Sequence, residues 1–111
     1  MIEQILRDYL EDALKLPVRL EEEPDLPEEY VLIEKTGSGE GDWIKTATFA
    51  IQSYSGSFYR AMQLNEKVKE AMRDMVRLDE ICKVSLNSDY NFTDTSKKRY
   101  RYQAVYQITH Y

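Results

Sequence analysis

The sequence has a single cysteine, Cys82, and a single histidine, His110, among its 111 residues. One thiol cannot form a disulfide within the chain, and so few soft ligands cannot build an ordinary zinc site. A Ser-His-Asp or Cys-His catalytic arrangement would have to use His110. These scarcities argue against chemistry that depends on thiols, zinc or histidine.

Long hydrophobic runs are also missing from the sequence. No window approaches the run of about 20 apolar residues that a helix needs to cross a bilayer. The first residues, MIEQILRDYLEDALKL, carry acids where a signal peptide carries a basic leader. We therefore expect a soluble protein that is made inside the cell and has no membrane partner.

Net positive charge is confined to one short segment. The chain has a net charge of -5, with eleven acids and three bases in residues 1–34, whereas residues 95–111 hold four bases and no acid. A general nucleic-acid binder needs many phosphate contacts, which this balance does not favour. The uneven distribution instead suits molecules whose acidic surface meets the basic surface of a neighbour.

Hydrophobic periodicity predicts two amphipathic helices and five strands. The predicted helices cover residues 2–14 and 58–78, and the predicted strands cover residues 17–20, 30–35, 43–54, 81–92 and 99–109. We expect one domain over residues 1–111 with an α+β fold, in the order α-β-β-β-α-β-β. Its sheet would be single and mainly antiparallel, with four to five strands and both helices packed on one face.

The last segment, KKRYRYQAVYQITHY, alternates tyrosines with basic and polar residues. Tyr100, Tyr102 and Tyr106 share one parity, while Arg99 and Arg101 share the other. This period of two is typical of a half-buried strand with its rings turned inward. A nucleic-acid surface would need rings and cations on the same face, so the pattern favours the strand.

A glycine-rich segment, TGSGEGD, joins two predicted strands at residues 36–42. It lacks the Gly-Lys-Ser/Thr ending of a phosphate loop and carries two acids where phosphates would bind. We expect a mobile hairpin loop that becomes ordered against a partner. Trp43 follows this segment, and the sequence leaves open whether Trp43 belongs to the core or anchors a partner.

Two groups of residues resemble parts of known metal sites, but neither matches the full ligand pattern. The segment from Asp89 to Asp94 resembles the start of a calcium loop, but Asp94 stands where glycine is needed and Tyr100 where an acid is needed. A nuclease site could use Asp25, Glu34 and Lys35, although adjacent strand residues point to opposite faces. We expect no cofactor, no metal and no catalytic residue.

Two long segments resemble a known group of phage proteins. The segments EEYVLIEKTGSGEGDWIKTATFAIQSYSGSFYRAMQLNEKVKEAM and VSLNSDYNFTDTSKKRYRYQAVYQITHY resemble small neck and tail proteins of long-tailed bacteriophages and related prophages of Gram-positive bacteria. The nearest resemblance is to tail terminator proteins, also called tail-to-head joining, tail completion or minor tail proteins. It rests on element order and on the segments IEKTG, AIQSY and SDYNFTD.

This resemblance implies an α/β subunit that forms a ring, commonly a hexamer, in the phage virion after assembly in the bacterial cytoplasm. The ring would cap the tail tube, end its polymerisation and meet the head. The implied partners are other copies of the chain, the tail tube protein and the head connector or stopper protein, with DNA only as passing cargo. A head-closure or tail assembly protein is the alternative within the same class.

Three groups of residues are predicted to contact partners or neighbouring subunits. They are Glu21, Glu22, Glu23 and Asp25; Gly37, Ser38, Gly39, Glu40, Gly41, Asp42 and Trp43; and Lys97, Lys98, Arg99 and Arg101. Two other classes of function remain open from the residues. One is a nucleic-acid-binding module that uses the basic group and nearby tyrosines, and the other is a metal-dependent nuclease built around Asp25.

Overall fold

A computed structural model describes residues 1–97 and 99–111 of the chain. Within these residues it has two α-helices and five strands in the predicted order. The elements are α1 (Ile2–Leu14), β1 (Val18–Arg19), β2 (Tyr30–Glu40), β3 (Lys45–Ser55), α2 (Phe58–Asp74), β4 (Ile81–Asn91) and β5 (Tyr100–His110), with a 3₁₀ turn at Met75–Arg77 after α2. The fold is α+β, as the sequence predicts.

The strands form one sheet in the spatial order β1-β2-β3-β5-β4. All neighbouring strands are antiparallel except β1 and β2, which are parallel. Strand β1 is so short that it pairs only with Val31 and Leu32 of β2. The rest of β2 is therefore an edge of the sheet.

Both helices pack on the same face of the sheet. The buried residues of this face include Val31, Ile33, Phe49, Ile51, Ala104, Tyr106 and Ile108, which meet Leu6 and Leu10 of α1 and Leu64, Val68 and Met72 of α2. Strands bury alternate residues, so the other face carries side chains such as Thr48 and Gln107. We call this second side the open face.

Helix α2 is positioned by local signals at its start. The hydroxyl of Ser57 accepts a hydrogen bond from the backbone N–H of Arg60 at 3.2 Å, which caps the first turn. Its 17 residues give a length of about 26 Å. The eleven-residue strands are about 36 Å long. One helix thus spans most of the sheet's length.

A polar cluster joins α2 to the edge strand β4. Lys69 Nζ lies 2.8 Å from Asp89 Oδ2 and 2.9 Å from Glu66 Oε1. Asn65, which is buried, donates to the same Asp89 oxygen at 3.0 Å. The Lys69 hydrogen bond lowers the pKa of Asp89, against the effect of burial. The ionised carboxylate of Asp89 therefore stabilises the folded state.

The glycine-rich segment differs from its prediction. Residues Thr36 to Glu40 belong to β2. Gly37 to Glu40 pair with residues 45–48 of β3, and Thr36 lies in a bulge between Lys35 and Gly37. The predicted loop over residues 36–42 is therefore wrong for most of its length. The backbone gains a ladder of hydrogen bonds to β3, which offsets the weak strand preference of glycine. Only residues 41–44 form the turn.

Strand β4 also departs from simple alternation. We expected Cys82, Val84 and Leu86 on one face. Val84 and Leu86 do share a face, because they lie opposite the core residues Ile108 and Tyr106. Cys82 departs from it, because it lies in a bulge between Ile81 and Lys83, and a second bulge follows between Leu86 and Ser88. Ile81 is the buried residue at the start of the strand, and Leu86 is 44% exposed. A bulge inserts one extra residue and shifts which side chains face the core.

Truncating Phe49 tests the one-sided core. Phe49 is fully buried, so Phe49→Ala should lower the free energy of unfolding by about 3–5 kcal/mol. Its neighbour Thr48 lies on the open face, and Thr48→Val should change the same quantity by less than about 0.5 kcal/mol. Urea denaturation measures both. Equal losses in the two variants would contradict the assignment of the faces.

The pH dependence of Asp89 provides a second test. A lowered pKa contributes stability that is present above the ordinary carboxyl pKa and is lost as the pH falls through the folded value. At pH 7 we expect Asp89→Asn to lower the free energy of unfolding by about 1–2 kcal/mol. The difference in this free energy between variant and wild type should become smaller below about pH 4. A difference that stays constant down to pH 2 would show that the charge of Asp89 does not stabilise the fold.

Candidate interaction surfaces

An aromatic–arginine cluster lies on the open face at one end of the sheet. It consists of Tyr30, Tyr54, Phe92, Arg99 and Arg101. The rings of Tyr30 and Tyr54 stack with centroids 4.7 Å apart and planes within 10°. The guanidinium carbons of Arg99 and Arg101 lie 4.9 and 5.6 Å from the Tyr54 centroid, and that of Arg101 lies 4.3 Å from the Phe92 centroid.

Strand register brings these residues together. Tyr54 of β3 lies directly opposite Tyr30 of β2 and, on its other side, opposite Arg101 of β5. The backbone N–H of Phe92 donates to the carbonyl of Arg101 at 2.9 Å, which places the next ring beside the same guanidinium. The cluster is thus a row that runs across four neighbouring chain segments.

Hydrogen bonds hold Arg101 within the cluster. Its Nε donates to the carbonyl of Phe92 at 2.7 Å, and its Nη1 donates to the hydroxyl of Tyr54 at 2.6 Å. Each cation–π contact at such a partly exposed site contributes about 0.5–1 kcal/mol. The guanidinium is therefore held between two rings by its own chain.

The acidic segment, residues 21–29, folds back onto the same end of the sheet. Glu22 accepts hydrogen bonds from the hydroxyl of Tyr30 at 2.9 Å and from Nη2 of Arg99 at 2.9 Å. Arg99 also donates to the hydroxyl of Tyr30. Burial, followed by the hydrogen bond to Glu22, raises the pKa of Tyr30 well above its ordinary value. Tyr30 therefore acts as a hydrogen-bond donor at neutral pH.

The other predicted acids differ in their contacts. Glu23 forms an ion pair with Arg19 at 3.1 Å, whereas Glu21 and Asp25 are exposed and make no side-chain hydrogen bond to any described residue. A cavity of about 430 Å³ lies beside this contact, and its lining includes Pro24 and Pro27 of the acidic segment and Tyr54 of the cluster. Predicted acidic and basic candidates thus meet within one chain.

The final strand confirms one expectation and corrects another. Along β5 the parities separate as predicted, with Tyr106 only 4% exposed in the core and Arg101 on the open face. The expectation that rings and cations would not share a face is wrong for the sheet as a whole. Tyr30, Tyr54 and Phe92 reach the arginines from other segments, and only the register reveals this.

A second surface is the hairpin tip, residues 41–44, between β2 and β3. Trp43 is 92% exposed and Ile44 is 42% exposed. The backbone of Trp43 has a φ of 68°, in the left-handed region that bulky residues seldom adopt. Such a conformation costs about 1 kcal/mol or more. Trp43 therefore lies outside the core, which excludes one of the two alternatives that the sequence left open.

A third surface is the outer edge segment, residues 33–40 of β2, beyond the end of β1. Its predicted residues Gly37, Ser38, Gly39 and Glu40 are all exposed. A cleft of about 690 Å³ lies beside it, with Met1, Ile2 and Ile5 of the α1 end in its wall. The segment combines an unpaired strand edge with a neighbouring concave surface.

The remaining candidates are spread over the surface. Lys97 is exposed, and its backbone N–H donates to the carboxylate of Asp94 at 3.3 Å. Lys98 lies outside the described residues. Glu34 is exposed on β2, while Lys35 forms an ion pair with Glu3 at 3.1 Å. The nuclease candidates are therefore not drawn into one site.

The described part of the chain holds neither a metal-binding cluster nor a membrane-spanning helix. No group of three or more His, Cys, Asp or Glu side chains is arranged to hold a metal ion in residues 1–97 and 99–111. Neither helix described there is long and apolar enough to span a membrane. Comparison with models of known protein families and with curated proteins finds no match to this chain.

A double-mutant cycle tests the link between the acidic segment and the cluster. We expect Glu22→Gln and Arg99→Met to be coupled by about 0.5–1 kcal/mol in the free energy of unfolding, because they remove the same ion pair. The matched cycle of Glu21→Gln with Arg99→Met should show no coupling. Chemical denaturation measures both cycles, and equal coupling energies would contradict the pairing.

Proposed function

We propose that this chain is a structural subunit of the neck or tail of a long-tailed phage. Copies of it assemble into a ring that caps the tail tube, ends tube polymerisation and joins the tube to the head connector. The tube protein and the connector or stopper protein are its other partners, and DNA passes only as cargo. Assembly takes place in the bacterial cytoplasm, and the finished ring resides in the virion.

The exposed side chain of Trp43 is the observation that carries this proposal. Burying an aromatic side chain of this size yields about 2–3 kcal/mol, and tryptophan is the residue most enriched at the energetic centres of interfaces. Here the indole is 92% exposed on a backbone with a φ of 68°. It contributes nothing to the core of its own chain, which supports a role in contact with another molecule.

The segments that carry the phage resemblance lie on the candidate interaction surfaces. The segment IEKTG, residues 33–37, begins the outer edge segment. The segment AIQSY, residues 50–54, ends at Tyr54 of the aromatic–arginine cluster, and SDYNFTD, residues 88–94, contributes Phe92. This placement supports a function in assembly, because these segments contribute residues to an exposed edge and to the open face of the sheet.

The charge distribution supports a ring only in part. The ion pair of Glu22 with Arg99 forms within one chain, so it accounts for some of the complementarity that we expected between subunits. Glu21, Asp25 and Lys97 are exposed and remain available for contacts. A ring needs two different complementary surfaces on each subunit, and these residues lie away from the hairpin tip that would supply the other.

The nucleic-acid-binding alternative is less favoured. A phosphate or base would have to displace Glu22 from Arg99, or the carbonyl of Phe92 and the hydroxyl of Tyr54 from Arg101. The faces of Tyr54 and Phe92 are already covered by guanidinium groups. Stacking on free aromatic rings is the usual source of affinity for single strands, and these two rings are not free.

Replacing Trp43 tests the proposal. We expect rings of the wild-type protein in electron micrographs and a matching multiple of the 13.1 kDa chain mass by light scattering. Trp43→Ser should weaken assembly at least about tenfold in the concentration required, because it removes the indole. Tyr59→Ser is the matched control, since Tyr59 is an exposed aromatic residue on α2, 64% accessible, and it should leave assembly unchanged.

Two results would contradict the proposal. One is a wild-type protein that stays a monomer at high concentration and binds a single-stranded oligonucleotide in a salt-dependent manner. The other is an assembly that Trp43→Ser and Tyr59→Ser weaken equally, because the hairpin tip would then have no special role.

A further inference from the structure

The outer edge segment presents unpaired backbone groups in a row. The N–H of Val31 donates to the carbonyl of Pro17 at 3.0 Å, so this residue points its polar groups away from β3. Backbone direction alternates along a strand, and Ile33 and Lys35 therefore point the same way. After the bulge, Ser38 and Glu40 take up this direction. In the parallel ladder with β1, the pairing of Arg19 with Leu32 places the N–H of Ile33 against the carbonyl of Arg19. Among the described residues, none pairs with this side of residues 34–40.

The neighbouring cleft would receive side chains from a strand added there. Its wall includes Met1, Ile2 and Ile5, and the ion pair between Lys35 and Glu3 lies beside them. Side chains of a strand alternate between two faces. Every second residue of an added strand would thus enter this partly apolar cleft, and the others would continue the open face.

The charges of the cleft indicate which charge a bound segment should carry. Glu40 and Glu80 line the cleft, and neither forms an ion pair with any residue in the described ranges. Lys45 is the opposing cation at the cleft and likewise has no ion pair within those ranges. The two carboxylates outnumber it, so the cleft favours a ligand that carries a lysine or an arginine.

We propose that the outer edge segment binds an extended segment of a partner protein, which adds a sixth strand to the sheet. The ligand alternates apolar residues with others and carries at least one basic residue. Main-chain hydrogen bonds along about 26 Å of edge would give affinity, and the cleft would give specificity. This inference rests on the edge and the cleft, and it does not depend on ring formation.

A second copy of this chain fits the edge less well. The basic residues Arg99 and Arg101 are engaged within their own chain, so they do not supply the cation. The other long edge of the sheet, β4, has two bulges where the outer edge segment has one, and each bulge disrupts a regular ladder. An extended basic segment of another protein is therefore the better occupant.

Selection from a library of random nine-residue peptides tests this proposal with a defined probe. The selected peptides should alternate apolar residues and include a lysine or an arginine. Ser38→Pro removes the outward N–H of residue 38, a change that strand edges tolerate. It should weaken binding of a selected peptide at least about tenfold. Ser38→Ala keeps the N–H and should change binding less than about twofold.

Hydrogen exchange identifies where the selected peptide binds. Its addition should slow exchange at the amides of Lys35, Ser38 and Glu40. Failure to enrich any peptide, equal binding to both Ser38 variants, or protection elsewhere would overturn the proposal. Protection of this edge that grows with the concentration of the protein alone would identify a second copy as the occupant and would also overturn it. Because monomeric protein is used, the outcome is independent of whether rings form.

Discussion

The packing of both helices against one face of the sheet determines the rest of this structure. Phe49 and Ile51 on the central strand meet α1 and α2 together with Tyr106 on β5. Apolar burial of this kind is the main favourable term in folding. Because the core forms on one face of the sheet only, the open face, the outer edge segment and the hairpin tip are left for other contacts.

Strand register then decides what those surfaces contain. Tyr54 lies opposite both Tyr30 and Arg101, so rings and cations from separate parts of the chain meet on the open face. The acidic segment joins them through Glu22. The opposite charges of Glu22 and Arg99, which lie far apart in the sequence, are thus paired within the chain.

Periodicity predicted the element order and the packing of the helices, because both depend on which residues are apolar and how they are spaced. It predicted the separation of tyrosines from arginines along β5 for the same reason. The extension of β2 through Gly37 and Gly39 depends on pairing with β3, which local propensity does not contain. The bulges at Cys82 and after Leu86 and the aromatic–arginine cluster are likewise products of pairing between distant segments.

The candidate interaction surfaces were likewise predicted only in part. Composition indicated the acidic segment, the glycine-rich segment and the basic residues as contacts, but it could not show that Glu22 and Arg99 meet in one chain. The exposure of Trp43 could not be predicted either, because a tryptophan at the start of a predicted strand can be buried or exposed. The outer edge segment is unpaired because β1 has two residues, where the sequence predicts a strand over residues 17–20.

The central claim is that Trp43 is free in the isolated subunit and is covered on assembly. It is the only tryptophan in the chain, so its fluorescence reports on this side chain alone. We predict that acrylamide quenches the emission of the monomer nearly as well as that of free tryptophan, and that ring formation shifts the emission to shorter wavelength and reduces quenching. A shielded indole in the monomer, or an emission that does not change in the rings, would contradict the account.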